Sequence, residues 1–206
     1  MRIERIEKSK HKQERVLVFL EGGDLLRITG AELLQFGLYQ GLDLPPEMLE
    51  ELRAAARRSD TRRRGASMAS GRMLSKKELT ERLTKKGASP DDAAETADWL
   101  EDLGAVDDTA YAGVIVRHYG AMGCGAARVR QELHRRGVPK ELWDEALKQL
   151  PPPQEAIEKF LCAKLRGRPL TPEDSRRLAA ALQRRGFSWQ DIRPILNGLG
   201  QEIDET

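Results

Sequence analysis

The sequence holds little of what builds a deep active site. Aromatic residues make up only 5% of its 206 positions, while charged residues reach 33%. That balance suits helices with much solvated surface better than a globule closed around a cleft. There are two cysteines, Cys124 and Cys162, and they form no C-x-x-C pair, which leaves no zinc-ligand or thioredoxin-like motif. The histidines, His11, His118 and His134, stand at no spacing with Cys, Asp or Glu that a metal or nucleophile site requires. No apolar run approaches the roughly 20 residues that cross a bilayer, and Met1-Arg2-Ile3-Glu4-Arg5 lacks the apolar stretch of a signal peptide. The expectation is a cytoplasmic protein with reduced thiols, no cofactor, no metal, no membrane contact and no catalytic residues.

What is present is charge, and it is segregated. The formal net charge is only +2. Between Arg53 and Lys86, however, the acids are Asp60, Glu78 and Glu81 among a large excess of Arg and Lys, and the stretch from Asp91 to Asp108 is rich in acids with no Lys or Arg at all. Such a distribution predicts a basic face and an acidic face that orient a charged partner.

The N-terminal part has strand character. Val16-Leu17-Val18-Phe19-Leu20, the turn Glu21-Gly22-Gly23-Asp24 and Leu25-Leu26-Arg27-Ile28 predict a hairpin, joined by Arg2 to Glu7 as a third strand. Thr29-Gly30-Ala31-Glu32 has the form of a capping box opening a short helix that stops near Gly37. A second helix is expected after Pro45-Pro46, running through Leu49, Leu52 and Ala56 into an arginine-rich, solvated connector.

From about residue 65 the chain repeats. Gly87, Gly137 and Gly186 lie 50 and 49 residues apart. Eight residues before each stands Leu79, Val129 or Leu178, and four before stands Leu83, Leu133 or Leu182. Each glycine therefore ends an amphipathic helix. At offsets 6, 10 and 13 after it come Ala93, Ala97 and Leu100, then Trp143, Leu147 and Leu150, then Ile192, Leu196 and Leu199, one face of a following helix. Preceding helices fit at about 53–72, 108–119 and 154–166, so the unit is three helices. The fold predicted is mostly α: three tandem three-helix repeats in an elongated curved array, with a small β-hairpin-containing region. The divisions are 1–52, 53–104, 105–150 and 151–206, the last with a short acidic tail.

Immediately before the glycines come the basic pairs Lys85-Lys86, Arg135-Arg136 and Arg184-Arg185. Two readings stay open. Cations in a last helical turn meet the negative end of the helix dipole, and glycine is favoured just beyond. Alternatively the pairs, with Arg128, Arg130, Arg176, Arg177 and the run Arg62, Arg63, Arg64, build a surface for phosphate or an acidic groove. Trp99 and Trp143 fall on core faces, whereas Trp189 is expected to be partly exposed. Gly120-Ala121-Met122-Gly123-Cys124-Gly125 fits neither nucleotide-binding glycine pattern and is expected to be a flexible link, with Gly125 near the next helix cap.

The segments Asp107-Asp108-Thr109-Ala110-Tyr111-Ala112, Val116-Arg117 and Gly123 to Val138, with Arg135-Arg136-Gly137 at its end, resemble the central repeat of the RecX family. Ser75-Lys76-Lys77-Glu78-Leu79, with Leu83 and Lys85-Lys86-Gly87, resembles its first repeat, and Leu182 with Arg184-Arg185-Gly186-Phe187 its third. Glu21-Gly22-Gly23 and Phe36 to Gly41 resemble the N-terminal extension of some members. Pro151-Pro152-Pro153 departs from the pattern as a stiff entry to the third repeat. The resemblance implies a regulator of RecA, the recombinase that polymerises on single-stranded DNA. It implies binding in the groove of the RecA filament and restraint of ATP hydrolysis, strand exchange and LexA cleavage, with possible direct DNA contact, by a monomer. The rival readings are a stand-alone nucleic-acid-binding helical repeat protein and a helical-repeat scaffold for some other protein.

Overall fold

A computed structural model describes residues 1–9 and 15–201. His11 and the acidic tail lie outside the described residues. The chain is mostly helical, with a three-stranded antiparallel sheet at its start, and it forms two compact units: 1–72 with 79–106, and 73–78 with 107–206.

In the first unit, β1 (Ile3–Lys8), β2 (Arg15–Leu20) and β3 (Leu25–Thr29) pair in that order, so the predicted third strand lies beside the hairpin. Alternation puts Val16, Val18 and Leu20 of β2 on the buried face, where they meet Ile3, Ile28, Leu38 and Leu44. The capping box at Thr29 closes as expected on α1 (Gly30–Gln35): the Glu32 N–H donates to the Thr29 hydroxyl at 3.2 Å, and the Thr29 N–H donates to the Glu32 carboxylate at 2.6 Å.

Helix α2 (Pro46–Gly71) runs 26 residues without a break through residues 52 and 53. Proline opens it where a missing N–H costs nothing. Its first half gives Leu49 and Leu52 to the sheet core. Its second half buries Thr61 and Gly65, and a Cβ at Gly65 would meet Thr96, Leu100 and Leu83. The Arg53 to Arg64 stretch is therefore not a purely solvated connector. Arg15 of β2, buried, donates to Asp60 at 3.1 Å and to Ser59 at 3.2 Å, tying the sheet to the middle of the helix.

Helices α3 (Lys76–Lys85) and α4 (Pro90–Asp102) complete the first three-helix group with the second half of α2. Next come α5 (Asp108–Ala121), α6 (Ala126–Arg135), a 3-10 turn at Lys140–Leu142 and α7 (Trp143–Leu147). The final group is α8 (Pro153–Leu165), α9 (Pro172–Arg184) and α10 (Trp189–Gln201). Each has its own core, with Leu79, Leu83, Val129, Leu133, Leu178 and Leu182 all buried at the repeat positions. In the central repeat the last helix is short, its first turn being the 3-10 turn that follows Pro139. There Ala146 takes the buried place while Trp143, Leu147 and Leu150 pack around it half-buried. The indole N–H of Trp143 donates to the Val138 carbonyl at 3.0 Å. Helices α3 and α6 start eleven residues before their glycines, whereas α9 starts fourteen before Gly186.

Candidate partner-binding surface

The repeat glycines adopt positive φ, 91° at Gly87, 70° at Gly137 and 92° at Gly186, the left-handed turn that ends a helix and that side chains disfavour. At two of them the missing side chain has a second use. A Cβ at Gly186 would overlap the backbone of Arg128, and one at Gly137 would overlap the Lys77 side chain. The start of one repeat's second helix thus sits on the turn that ends the next repeat's second helix. The Ser75 hydroxyl donates to the Arg136 carbonyl at 2.5 Å, and the Gly125 N–H donates to the Arg185 carbonyl at 2.9 Å. Both contacts lie within the second unit.

This joint divides the basic pairs. The half-buried Arg136 donates to the Tyr111 hydroxyl at 2.6 Å and lies 3.9 Å from the Glu78 carboxylate. Burial and the nearby Glu78 charge push the Tyr111 hydroxyl above its ordinary value, so it stays protonated. The Nε of Arg136 has no partner among the described residues. Arg185 donates to the carbonyls of Met122 and Gly123 at 3.2 and 3.4 Å and covers the Phe160 ring at 4.8 Å. The glycine-rich segment expected to be a flexible link is therefore fastened to the third repeat.

The other candidates fall into two groups. Arg128 and Arg135 flank the buried Glu132, at 3.2 and 2.7 Å. Burial alone would raise that carboxyl, but hydrogen bonds from Arg135 and Tyr119 and the two guanidinium charges outweigh it and hold it below the usual carboxylate range. Arg177 pairs with Asp174 at 2.5 Å. Arg63 and Arg64 pair with Asp60 at 2.9 and 2.6 Å, and Arg64 also donates to the Lys86 carbonyl at 2.9 Å. Arg62 lies over Trp99, 5.6 Å from the ring centre. By contrast Lys85, Lys86, Arg130, Arg176 and Arg184 are exposed and make no ion pair or side-chain hydrogen bond among the described residues. Trp189 is 52% exposed, as its position at a helix start predicts.

Sequence reasoning did not find Ser75, Glu78, Tyr111 and Glu132 as the polar partners that fix these cations. The capping-box form of Ser75-x-x-Glu78 was the available signal, but its link to Arg136 spans 61 residues. Among the described residues, no helix is long and apolar enough to cross a membrane.

A family model for the second three-helix domain of RecX matches residues 107–147, the α5 to α7 group. The regulatory protein RecX of Chromohalobacter salexigens is 34% identical over 123 residues, covering 59% of this chain and 81% of its own. That of Bacillus subtilis is 28% identical over 210 residues, covering 98% of this chain and 79% of its own. A crystal structure of a regulatory protein RecX superposes with a TM-score of 0.76 at 22% identity, covering 96% of this chain and 98% of the other. The repeat order, the N-terminal sheet and these matches agree, and the chain belongs to the RecX family.

Proposed function

We propose that this chain is a non-enzymatic, cytoplasmic, monomeric regulator of RecA that binds in the groove of the RecA filament on single-stranded DNA. There it restrains ATP hydrolysis, strand exchange and LexA cleavage. The observation that carries this reading, beside family membership, is the set of exposed cations with no internal partner: Lys85, Lys86, Arg130, Arg176 and Arg184. Helix-dipole stabilisation needs one cation per end, which Arg136 and Arg185 supply at the second and third ends and one of Lys85 and Lys86 supplies at the first. The unpaired remainder suits an anionic partner surface. The exposure of Trp189 supports the second reading, direct stacking on a nucleic-acid base.

Replacing the five unpaired cations by Gln keeps helix propensity and every joint contact. RecA ATP turnover on single-stranded DNA should then be inhibited about tenfold less effectively, and added salt should weaken inhibition less steeply, because fewer ionic contacts remain to screen. A folded five-fold variant that inhibits like the parent removes this surface from the mechanism. Titration with bare single-stranded DNA and with the assembled filament separates the two readings: the filament is preferred under the first and not under the second.

A further inference from the structure

The joint geometry occurs at Gly137 and Gly186, where each turn carries the start of the preceding repeat's second helix. Gly87 ends the first such helix and has no preceding repeat. A Cβ there would meet nothing within 4 Å. The turn instead opens into a groove of about 1570 Å³ within the first unit, bounded by Gly87, Ala88 and Ser89 on one side and by α2 and β3 on the other. Along α2, Arg53, Arg57, Asp60 and Arg64 follow the spacing of one helix face and line it. Burial pushes the Asp60 carboxyl up, but the Arg63 hydrogen bond and the charges of Arg64 and Arg15 outweigh this and hold it below the usual range, so it stays ionised and neutralises that end. Arg27, Arg57 and Arg58, which also line the groove, make no ion pair or side-chain hydrogen bond among the described residues.

We propose that this groove is a docking site for an acidic polypeptide segment of a partner protein, seated on the Gly87 turn as the starts of α3 and α6 are seated on Gly137 and Gly186. The unpaired guanidiniums call for carboxylates. Nucleic acid fits less well. Among the described residues no aromatic side chain lines the groove for stacking, and Asp91, Asp92 and Glu95 stand along the wall formed by α4. A polypeptide turns its acids toward α2 and other side chains toward α4 and toward Leu25 and Leu26. A phosphodiester carries charge at every unit and has no such freedom.

The test uses the full chain and a fluorescein-labelled peptide of alternating glutamate and alanine, which can turn its acids to one wall and its methyl groups to the other, read by fluorescence polarisation at low salt. Binding should weaken about tenfold in Arg57→Glu/Arg58→Glu, a reversal at two exposed sites. It should change little in Lys140→Glu/Arg193→Glu, which alters net charge equally on other elements. Ala54→Trp, which fills the groove without touching charge, should also weaken it and guards against misfolding of the first variant. An oligothymidylate of equal charge should not displace the peptide. The proposal is overturned by unchanged binding in both groove variants, by an equal loss in the Lys140/Arg193 control, or by displacement by oligothymidylate, which marks a nucleic-acid groove. It is also overturned by a concentration-dependent dimer that the Arg57/Arg58 exchange abolishes, which marks a second copy as the occupant. No RecA enters the assay, so its failure leaves the regulator reading standing.

Discussion

At Gly186 the glycine, the carbonyl before it and the Arg185 side chain are all engaged by the central repeat. At Gly87 the same arrangement of leucine, basic pair and glycine ends in open space, and the Lys86 carbonyl is bonded to Arg64 instead of to a neighbouring repeat. Two helix ends with one sequence pattern therefore do different work. The pattern encodes the turn. What sits on the turn is encoded some sixty residues away, by whether a preceding repeat offers a small or hydroxyl-bearing helix start such as Gly125 or Ser75.

The largest effects should be common to all the ends. Leu83, Leu133 and Leu182 are each at most 1% exposed, and truncating any of them to Ala should cost about 2 to 5 kcal/mol in urea unfolding. A loss below about 0.5 kcal/mol at Leu83 alone, the size of a surface site, breaks the comparison by showing that the first end lacks the shared framework. Next in size is the contrast between the glycines. Gly186→Ala should cost about 3 kcal/mol or more, since backbone strain adds to overlap with the Arg128 backbone, whereas Gly87→Ala should cost about 1 kcal/mol from its positive φ alone. Equal losses in thermal denaturation remove the joint as a distinct feature. The smallest contrast lies in the second cation of each pair. Arg136→Gln removes the cation beside the Tyr111 hydroxyl and Glu78, which keep the 3.1 Å hydrogen bond between them, and should cost about 1 to 2 kcal/mol, while Lys86→Gln should stay within about 0.5 kcal/mol. A Lys86→Gln loss as large as that of Arg136→Gln shows the first pair to be structural too.

Much of the fold was legible because local chemistry carried it. Aliphatic residues four and eight positions before each glycine set the helix register, Thr29 with Glu32 marked a helix start, and the apolar run Val16 to Leu20 marked a strand without showing which face is buried. The site was legible only as a set of cations. Nothing near Arg135 and Arg136 in sequence says that the first flanks Glu132 at the surface while the second turns inward to Tyr111, because that choice depends on α5 and on the first turn of α3. The burial of Arg15 was likewise invisible, its partner Asp60 being 45 residues away. The run of α2 through Leu49, Leu52 and Ala56 into the arginine-rich stretch was legible, but the burial of Thr61 and Gly65 was not, because it depends on Thr96 and Leu100 of α4.

The longer start of α9 has a consequence for how such a chain grows. Twelve residues before each repeat glycine stand Ser75, Gly125 and Asp174. The first two offer a donor to the repeat that follows, whereas the N–H of Asp174 is already bonded to the Thr171 hydroxyl at 3.1 Å, inside a turn opened by Pro172. The residue in the capping place of Ser75 and Gly125 is here Thr171, so a fourth repeat joined in the same way would set its glycine turn about one helical turn further from Gly186 than the existing joints do.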